Sequence, residues 1–199
     1  TSSKLLFEIR RSALNVSSTF QSNGIVPDIL DEAPKDLVEV TYSSGAKVNL
    51  GNELTPTEVK DIPQVFWEAD EKKLYTLLFV DLDAPSRKDP TEREVRHWAV
   101  VNIPGNKVSE GQTICEYIGS GPPKDTGFHR YVFLVFKQIG TVLTETFIDK
   151  KTLKGRLLTS TKELISDYGL GNPIAGNFFQ AQYDDYVPIF RKQFTGETR

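Results

Sequence analysis

The chain has 199 residues, of which 38% are hydrophobic and 26% charged, the composition of a folded protein with a substantial core. Its formal net charge of −3 gives no general attraction to nucleic acid or to an anionic membrane. No apolar run reaches the roughly 20 residues that a membrane-spanning helix needs.

The single cysteine, Cys115, excludes an internal disulfide and fits a reducing compartment, so we expect a cytoplasmic protein. The alternative is a secreted protein whose leader has been removed, because the sequence starts at Thr1 and contains no methionine. Asn15 opens an Asn-Val-Ser acceptor triplet for N-glycosylation, a pattern that also arises often by chance.

The first half of the chain predicts a helix followed by short strands. Residues 3–20 have apolar side chains at helical spacing, and the Ser-Asn-Gly sequence at 22–24 ends the helix. Residues 38–42 alternate as a half-buried strand, and a turn leads into residues 46–50 to complete a hairpin. Residues 65–67 form a further short strand candidate.

Three stronger strands are predicted at residues 74–82, 98–103 and 131–137. Each is apolar on both faces, which indicates central positions in a sheet covered on both sides. Irregular loops, not regular helices, separate these strands, which argues against a parallel doubly wound sheet. The pattern therefore favours a mostly β protein with an antiparallel sheet and peripheral helices.

The C-terminal region predicts two helices and a strand. A Ser-Thr-Lys-Glu capping box at 160–163 starts a helix that Gly169 ends. Residues 178–183 read as a strand, and Asp184 or Asp185 caps a final helix with a proline in its first turn. No linker divides the chain, so we expect one domain over residues 1–199, with 1–23 as a helical N-terminal extension.

The polar residues of interest lie at strand ends. His97 and His129 open two strong strands, an Asp-Leu-Asp-Ala-Pro motif at 81–85 ends another, and a Gly-Ser-Gly-Pro-Pro loop occupies 119–123. A carboxylate beside an imidazole raises the histidine pKa, and the charged ring can then bind a phosphate, sulfate or carboxylate. An aspartate could also accept the amine of a zwitterionic head group.

Strand alternation refines this hypothesis. Asp81 and Asp83 share a face if the strand continues that far, as do His129 and Tyr131, whereas Arg130 points away. The Ala-Pro bond before residue 85 is a candidate cis bond. Each feature alone is more often structural, because strand histidines, Asp-rich turns and Gly-Pro-Pro loops are common. From the residues alone, a site and a structural role are equally supported.

The motifs resemble those of the phosphatidylethanolamine-binding protein family, which includes the Raf kinase inhibitor proteins. The resemblance runs from about residue 24 to the C-terminus and is greatest to invertebrate members. The matching segments, in order, are 24–28, 81–87, 97–102, 119–123, 127–131 and 180–188.

The resemblance implies a large central antiparallel sheet, a smaller second sheet and a C-terminal helix. It also implies an anion pocket, with no catalytic residue, metal or cofactor. The implied ligand-binding residues are Asp81, Asp83, His97, Gly121, Pro122, His129, Tyr131 and Tyr186. Two departures from the family pattern are Leu82, where proline is usual, and Val95 and Arg96, where many members carry an aromatic residue. Arg96 could add positive charge at the pocket rim, and the alternative is a solvated side chain.

We therefore expect a monomeric, non-catalytic binding protein for a phosphate-bearing or phosphatidylethanolamine-type ligand. It would modulate signalling through kinase or protease partners, without nucleic acid and with at most peripheral membrane contact. One alternative is a serine protease or kinase inhibitor that acts mainly by protein contacts. A weak hydrolase is the other, but no Gly-x-Ser-x-Gly motif is present, and Ser86 and Ser120 have no evident base. The His/Asp spacing matches no zinc motif.

Overall fold

Two sheets and a few helices make up the computed structural model, which describes residues 15–194. The strands are β1 (Asp36–Leu37), β2 (Glu39–Thr41), β3 (Asn52–Glu53), β4 (Gln64–Phe66), β5 (Leu74–Asp81), β6 (Val95–Pro104), β7 (Gln112–Cys115), β8 (His129–Lys137) and β9 (Ala175–Ala181). Helical residues 15–22 form α1, followed by α2 (Ile25–Asp28), α3 (Thr161–Tyr168) and α4 (Val187–Lys192).

The large sheet has the order β1-β9-β8-β5-β6-β7, and β3 also pairs with β9. The strands from β9 to β7 run antiparallel to their neighbours, whereas β1 and β3 pair with β9 in parallel. Strands β2 and β4 form the separate small antiparallel sheet. The mostly β fold with peripheral helices is therefore confirmed, and the large sheet is mixed because two short strands join it in parallel.

Strands β5 and β8 lie in the middle of the large sheet, and their side chains pack in a separate hydrophobic core on each face. Phe79 and Phe133 point to the face covered by the small sheet, and their rings stack at 4.0 Å between centroids. Val80 and Val132 point to the opposite face, which α1, α2 and α3 cover. This alternation confirms that both faces of the central strands are buried.

Most predicted elements form, with local differences. The capping box of α3 is confirmed, since the Ser160 hydroxyl accepts from the Glu163 N–H and Gly169 ends the helix. Residues 46–50 form no full strand, because only Lys47 bridges to Thr41. Of the helix predicted at 3–20, the part before residue 15 lies outside the described residues.

The start of α4 differs from the prediction. Tyr186, not Asp184 or Asp185, is the N-cap residue, and no side chain caps the helix. The Asp184 carboxylate instead accepts from the Tyr186 N–H and from both the N–H and the hydroxyl of Thr57. Across residues 15–194, no helix combines the length and apolar character needed to cross a membrane.

Buried Asn177 fastens the hairpin region to β9. Its amide nitrogen donates to the Val38 and Val48 carbonyls, and its oxygen accepts from the Leu50 N–H at 2.8 Å. We expect Asn177→Ala to lower the free energy of unfolding by about 2–4 kcal/mol, because several buried backbone groups lose their partner. Urea denaturation measures this loss. Exposed Asn172→Ala is the control, with an expected change below about 0.5 kcal/mol, and equal effects of the two variants would contradict the prediction.

Candidate functional site

Two consecutive residues of β8 bind Asp81, the last residue of β5, and Asp83, which lies two residues further on. His129 Nδ1 lies 2.9 Å from Asp81 Oδ2. Arg130 donates from Nε and Nη2 to the two carboxylate oxygens of Asp83, at 2.9 and 2.8 Å. Because adjacent strand residues point to opposite faces, the two pairs lie on opposite faces of the sheet. Arg130 points away from His129, as the alternation predicts.

The expectation that Asp83 joins Asp81 on one face does not hold, because β5 ends at Asp81. Asp83 is fully buried with Arg130 and also contacts Arg93. Burial opposes its charge, but the hydrogen bonds and positive charge of Arg130 outweigh burial and lower the Asp83 pKa. Asp83 thus serves the fold on the opposite face and does not reach the His129 side.

A β-bulge decides which side chain of β6 faces the site. Phe79 pairs with Trp98, but Val80 pairs with Arg96, so His97 is the extra residue of the bulge. The His97 ring therefore packs on Phe79 and Tyr131, at 5.5 and 5.3 Å between centroids.

The same bulge corrects the expectation for Arg96. Its side chain lies on the opposite face from the site, where it lines a cleft of about 190 Å³ together with residues of α3. Strict alternation from Trp98 would have put Arg96 beside the site and His97 on the far face. Arg96 is therefore not a rim residue.

His97 is held as a neutral ring. Its Nδ1 lies 2.9 Å from the Gly119 carbonyl and 3.2 Å from the Ile118 carbonyl, so Nδ1 carries the proton and donates. Burial lowers the His97 pKa to about 4, against the opposing charge of Asp81. The expectation of a charged donor at His97 is wrong, and in the neutral ring Nε2 is an acceptor.

Both ring nitrogens of His129 are occupied by protein groups. Nδ1 donates to Asp81, and Nε2 lies 3.0 Å from the Thr126 hydroxyl, whose own proton is donated to the Pro123 carbonyl. His129 therefore positions Asp81 and the loop that contains Thr126, and it has no nitrogen left for a ligand.

Tyr131 lies between the two histidines. Its ring stacks on His129 at 6.3 Å and meets His97 edge to face. Among the described residues, its buried hydroxyl has no hydrogen bond of standard length and angle, although the Asp81 carboxylate and the Gly121 backbone are close enough to influence its pKa. Burial, followed by the Asp81 charge, raises the Tyr131 pKa well above its usual value, so the hydroxyl keeps its proton.

The Gly-Pro loop and α4 form one wall around this site. A Cβ at Gly121 would lie 2.2 Å from the Phe190 ring, so only glycine permits α4 to pack there. Pro122 is buried in the same loop. Tyr186, at the start of α4, packs in the apolar cluster that contains Phe190 and Ile118. Gly121 and Pro122 thus belong to the loop whose carbonyls His97 binds, and Tyr186 packs beside that loop.

Ser120 is a residue that the site prediction omitted. It is fully buried between the two glycines of the loop, and its hydroxyl has no hydrogen-bond partner within residues 15–194. The sequence displayed it only as a serine without a base. Its burial, which no local pattern encodes, makes it a candidate donor.

The structure also shows where Leu82, the other departure from the family pattern, lies and which isomer the Ala84–Pro85 bond adopts. Leu82 packs in the core on the α1 face, and its N–H donates to the Arg130 carbonyl, a bond that proline could not make. The Ala84–Pro85 bond is cis, as the sequence suggested. No group of three or more histidine, cysteine, aspartate or glutamate side chains is placed to hold a metal ion in the described part of the chain.

Fold and site define a class: a two-sheet β protein with a buried histidine–aspartate site where its central strands end. More particularly, the chain belongs to the phosphatidylethanolamine-binding protein family, whose sequence profile matches residues 43–179. The resemblance of the motifs is thereby confirmed.

The relatives include binding proteins and an inhibitor. Putative odorant-binding protein A5 of Drosophila melanogaster is 37% identical over 183 residues, which cover 92% of this chain and 87% of that protein. The solution structure of CG7054 is 49% identical, with a TM-score of 0.72 over 86% of this chain and 98% of that one. Carboxypeptidase Y inhibitor, in complex with its cognate proteinase, is 26% identical, with a TM-score of 0.74 over 86% and 97%.

The lowered pKa of His97 predicts a pH dependence of stability. The folded pKa of about 4 lies below the ordinary value of 6.5, so the unfolded chain binds the proton first. The stabilisation from neutral His97 is complete above pH 6.5 and is lost as the pH falls towards 4, by roughly 3 kcal/mol. We expect His97→Asn, which keeps a donor towards the loop carbonyls, to flatten this part of the profile.

Urea denaturation between pH 4.5 and 7 measures the slope. Asp83, whose pKa is lowered, loses its contribution only below about pH 4 and stays outside this window. Burial raises the Glu94 pKa, which acts with the opposite sign, but it is common to both proteins. Parallel profiles for the two proteins would show that His97 is not the titrating group.

The contact between the loop and α4 gives a second prediction for the site. Gly121→Ala places a methyl group against the Phe190 ring, so α4 must shift, and we expect the free energy of unfolding to fall by about 1–3 kcal/mol. Thermal unfolding measures the loss. Gly140→Ala is the control, because a Cβ there meets nothing within 4 Å. The prediction fails if both variants unfold like the wild type.

Proposed function

We propose that this protein is a non-catalytic binding protein that holds a small phosphate-bearing or phospholipid-type head group beside Tyr131, His97 and the 119–123 loop. The observation that carries the proposal is the buried Tyr131 hydroxyl without a standard hydrogen bond. The Asp81 carboxylate and the Gly121 backbone lie near this hydroxyl without a well-formed bond, so a ligand oxygen that accepts its proton would supply the missing hydrogen bond. Membership of a family named for a phospholipid supports the choice of ligand.

The available groups define what the ligand should offer. Tyr131 and Ser120 are donors, so the ligand needs acceptor oxygens. Neutral His97 presents an acceptor at Nε2, so the ligand should also carry an N–H or O–H. A phosphate monoanion and an ethanolamine phosphate head group both meet this double requirement.

The state of the histidines supports binding without catalysis. A general base needs a nitrogen that can take a proton from a nucleophile. His129 has both nitrogens engaged by Asp81 and Thr126, and burial depresses the His97 pKa to about 4, so His97 is a poor base at neutral pH. The relatives named as odorant-binding protein and inhibitor are consistent with this proposal. A cytoplasmic location, suggested by the single cysteine, stays a prediction.

A second candidate function is protease inhibition, favoured by the likeness to carboxypeptidase Y inhibitor over 86% of this chain. In that case the surfaces around α4 and the loops would contact the protease. An assay of carboxypeptidase Y with this protein tests the idea, and full protease activity at micromolar protein would oppose it. Kinase inhibition stays a prediction of the family resemblance.

We expect Tyr131→Phe to weaken phosphorylethanolamine binding about tenfold, because the variant loses one hydrogen bond to a charged oxygen while keeping the ring. Isothermal titration calorimetry at pH 7 measures the dissociation constants. Tyr168→Phe removes a hydroxyl from α3, on the other face of the sheet, and should bind like the wild type. Equal affinities for wild type and Tyr131→Phe would refute the site, and no binding by the wild type would refute the function.

A further inference from the structure

The side chains of the buried part of the proposed site include no lysine or arginine. This part consists of neutral His97, two hydroxyl groups and the Asp81 carboxylate with its partner His129. A phosphate would place negative charge beside Asp81 with little compensation. The positive charge that such a ligand needs should therefore come from the mouth of the site.

The arginines close to the site are engaged by protein groups, including fully buried Arg156, which donates to the His97 carbonyl at 3.4 Å. Arg96 faces α3 because of the bulge, and Arg130 binds Asp83 on the opposite face. Arg191 donates from Nη2 to the Gly121 carbonyl at 3.1 Å, and so holds the loop to α4. Arg191 therefore lies at the wall of the site, but this contact commits its Nη2 to the loop carbonyl.

Lys60 is placed differently. Its backbone packs against the loop, since a Cβ at Gly119 would lie 3.1 Å from Lys60 Cα. Its ammonium group lies over the ring of Tyr186, 6.0 Å from the centroid, a cation–π distance. Gly119 and Tyr186 belong to the wall of the site. The backbone and the ammonium group of this exposed lysine therefore both lie at that wall.

The segment that carries Lys60 is fixed to the same wall. The Asp184 carboxylate accepts from the Thr57 N–H at 3.0 Å and from its hydroxyl at 2.7 Å, and it also accepts from the Tyr186 N–H. One carboxylate thus couples the 57–60 segment to the residue over which the ammonium group lies. The shared carboxylate holds the 57–60 segment against the start of α4.

We propose that Lys60 is the ligand-binding cation at the mouth of this site, where it attracts and contacts the phosphate of the bound molecule. The proposal rests on the proposed function and adds its charge selectivity. Phosphate is the shared chemistry of free phosphate and of a lipid head group, so Lys60 should favour both. It should give no advantage to ethanolamine alone.

The experiment compares the dissociation constants of inorganic phosphate, phosphorylethanolamine and ethanolamine by calorimetry in low salt. We expect Lys60→Gln to weaken binding of both phosphates about two- to fivefold, the range of an exposed charge pair. Lys60→Arg should keep most of the affinity. The difference between wild type and Lys60→Gln should shrink in 0.5 M salt, because ions screen an exposed lysine.

Two matched lysine variants separate a local contact from a general field. Lys137→Gln removes the same charge at the other end of β8, eight residues or roughly 26 Å from His129. Lys124→Gln removes one from the loop region itself. Both should weaken phosphate binding less than Lys60→Gln does.

The outcomes also distinguish this inference from the proposed function. Phosphate binding that is lost in Tyr131→Phe but unchanged in Lys60→Gln would keep the site and overturn the role of Lys60. Equal losses for Lys60→Gln, Lys124→Gln and Lys137→Gln would overturn it as well, since only net charge would matter. Failure of the wild type to bind either phosphate would overturn both.

Discussion

The site and the fold both depend on how β8 begins, with His129 and Arg130 binding Asp81 and Asp83 at the end of β5. Both pairs are buried, and removing one partner of a buried ion pair such as Arg130–Asp83 typically costs about 3–5 kcal/mol. Arg130 also donates hydrogen bonds to Asp28 and to the Asn23 carbonyl, so the Arg130–Asp83 pair holds the N-terminal segment in place. His129 fixes the loop at Thr126 in the same way. Two neighbouring side chains thus connect three separate parts of the chain to one strand.

Because the side chains of β8 alternate between the two faces of the sheet, the two pairs have different roles. The arginine pair lies towards the face covered by helices and holds the 81–93 segment in place. The histidine pair lies towards the small sheet, and Tyr131, two residues further on, follows it on that face. Because Asp81 pairs directly with Tyr131 across the strands, the tyrosine hydroxyl and the carboxylate share one small volume. His129, on the side of the proposed site, and Arg130, which stabilises the fold on the other face, are therefore adjacent residues of β8.

Much of this could be predicted from the sequence, because strands β5, β6 and β8 are apolar on both faces and the capping box of α3 is local. The position of His129 also followed from strand alternation. The bulge at His97 could not, since no residue pattern in β6 marks where one residue will be left unpaired. That single irregularity exchanges His97 and Arg96 between the faces, so the rim position that the family resemblance suggested for Arg96 was wrong. Likewise, burial in the folded chain makes His97 neutral, and the carbonyls of a loop some 20 residues away select its tautomer.

The neutral state of His97 has a consequence for selectivity. A site with two cationic imidazoles would rank ligands mainly by negative charge, whereas this one has hydroxyl donors, an imidazole acceptor and a carboxylate in its depth. Such a set discriminates by matching donors to acceptors, because a buried polar group left unpaired costs more than a well-placed one contributes. A dianion would face the Asp81 carboxylate unfavourably, while a head group that combines phosphate oxygens with an N–H or O–H satisfies each partner. On the proposed function, the depth of the site would therefore favour molecules that carry both kinds of group, and discrimination by charge alone would fall to the residues at its mouth.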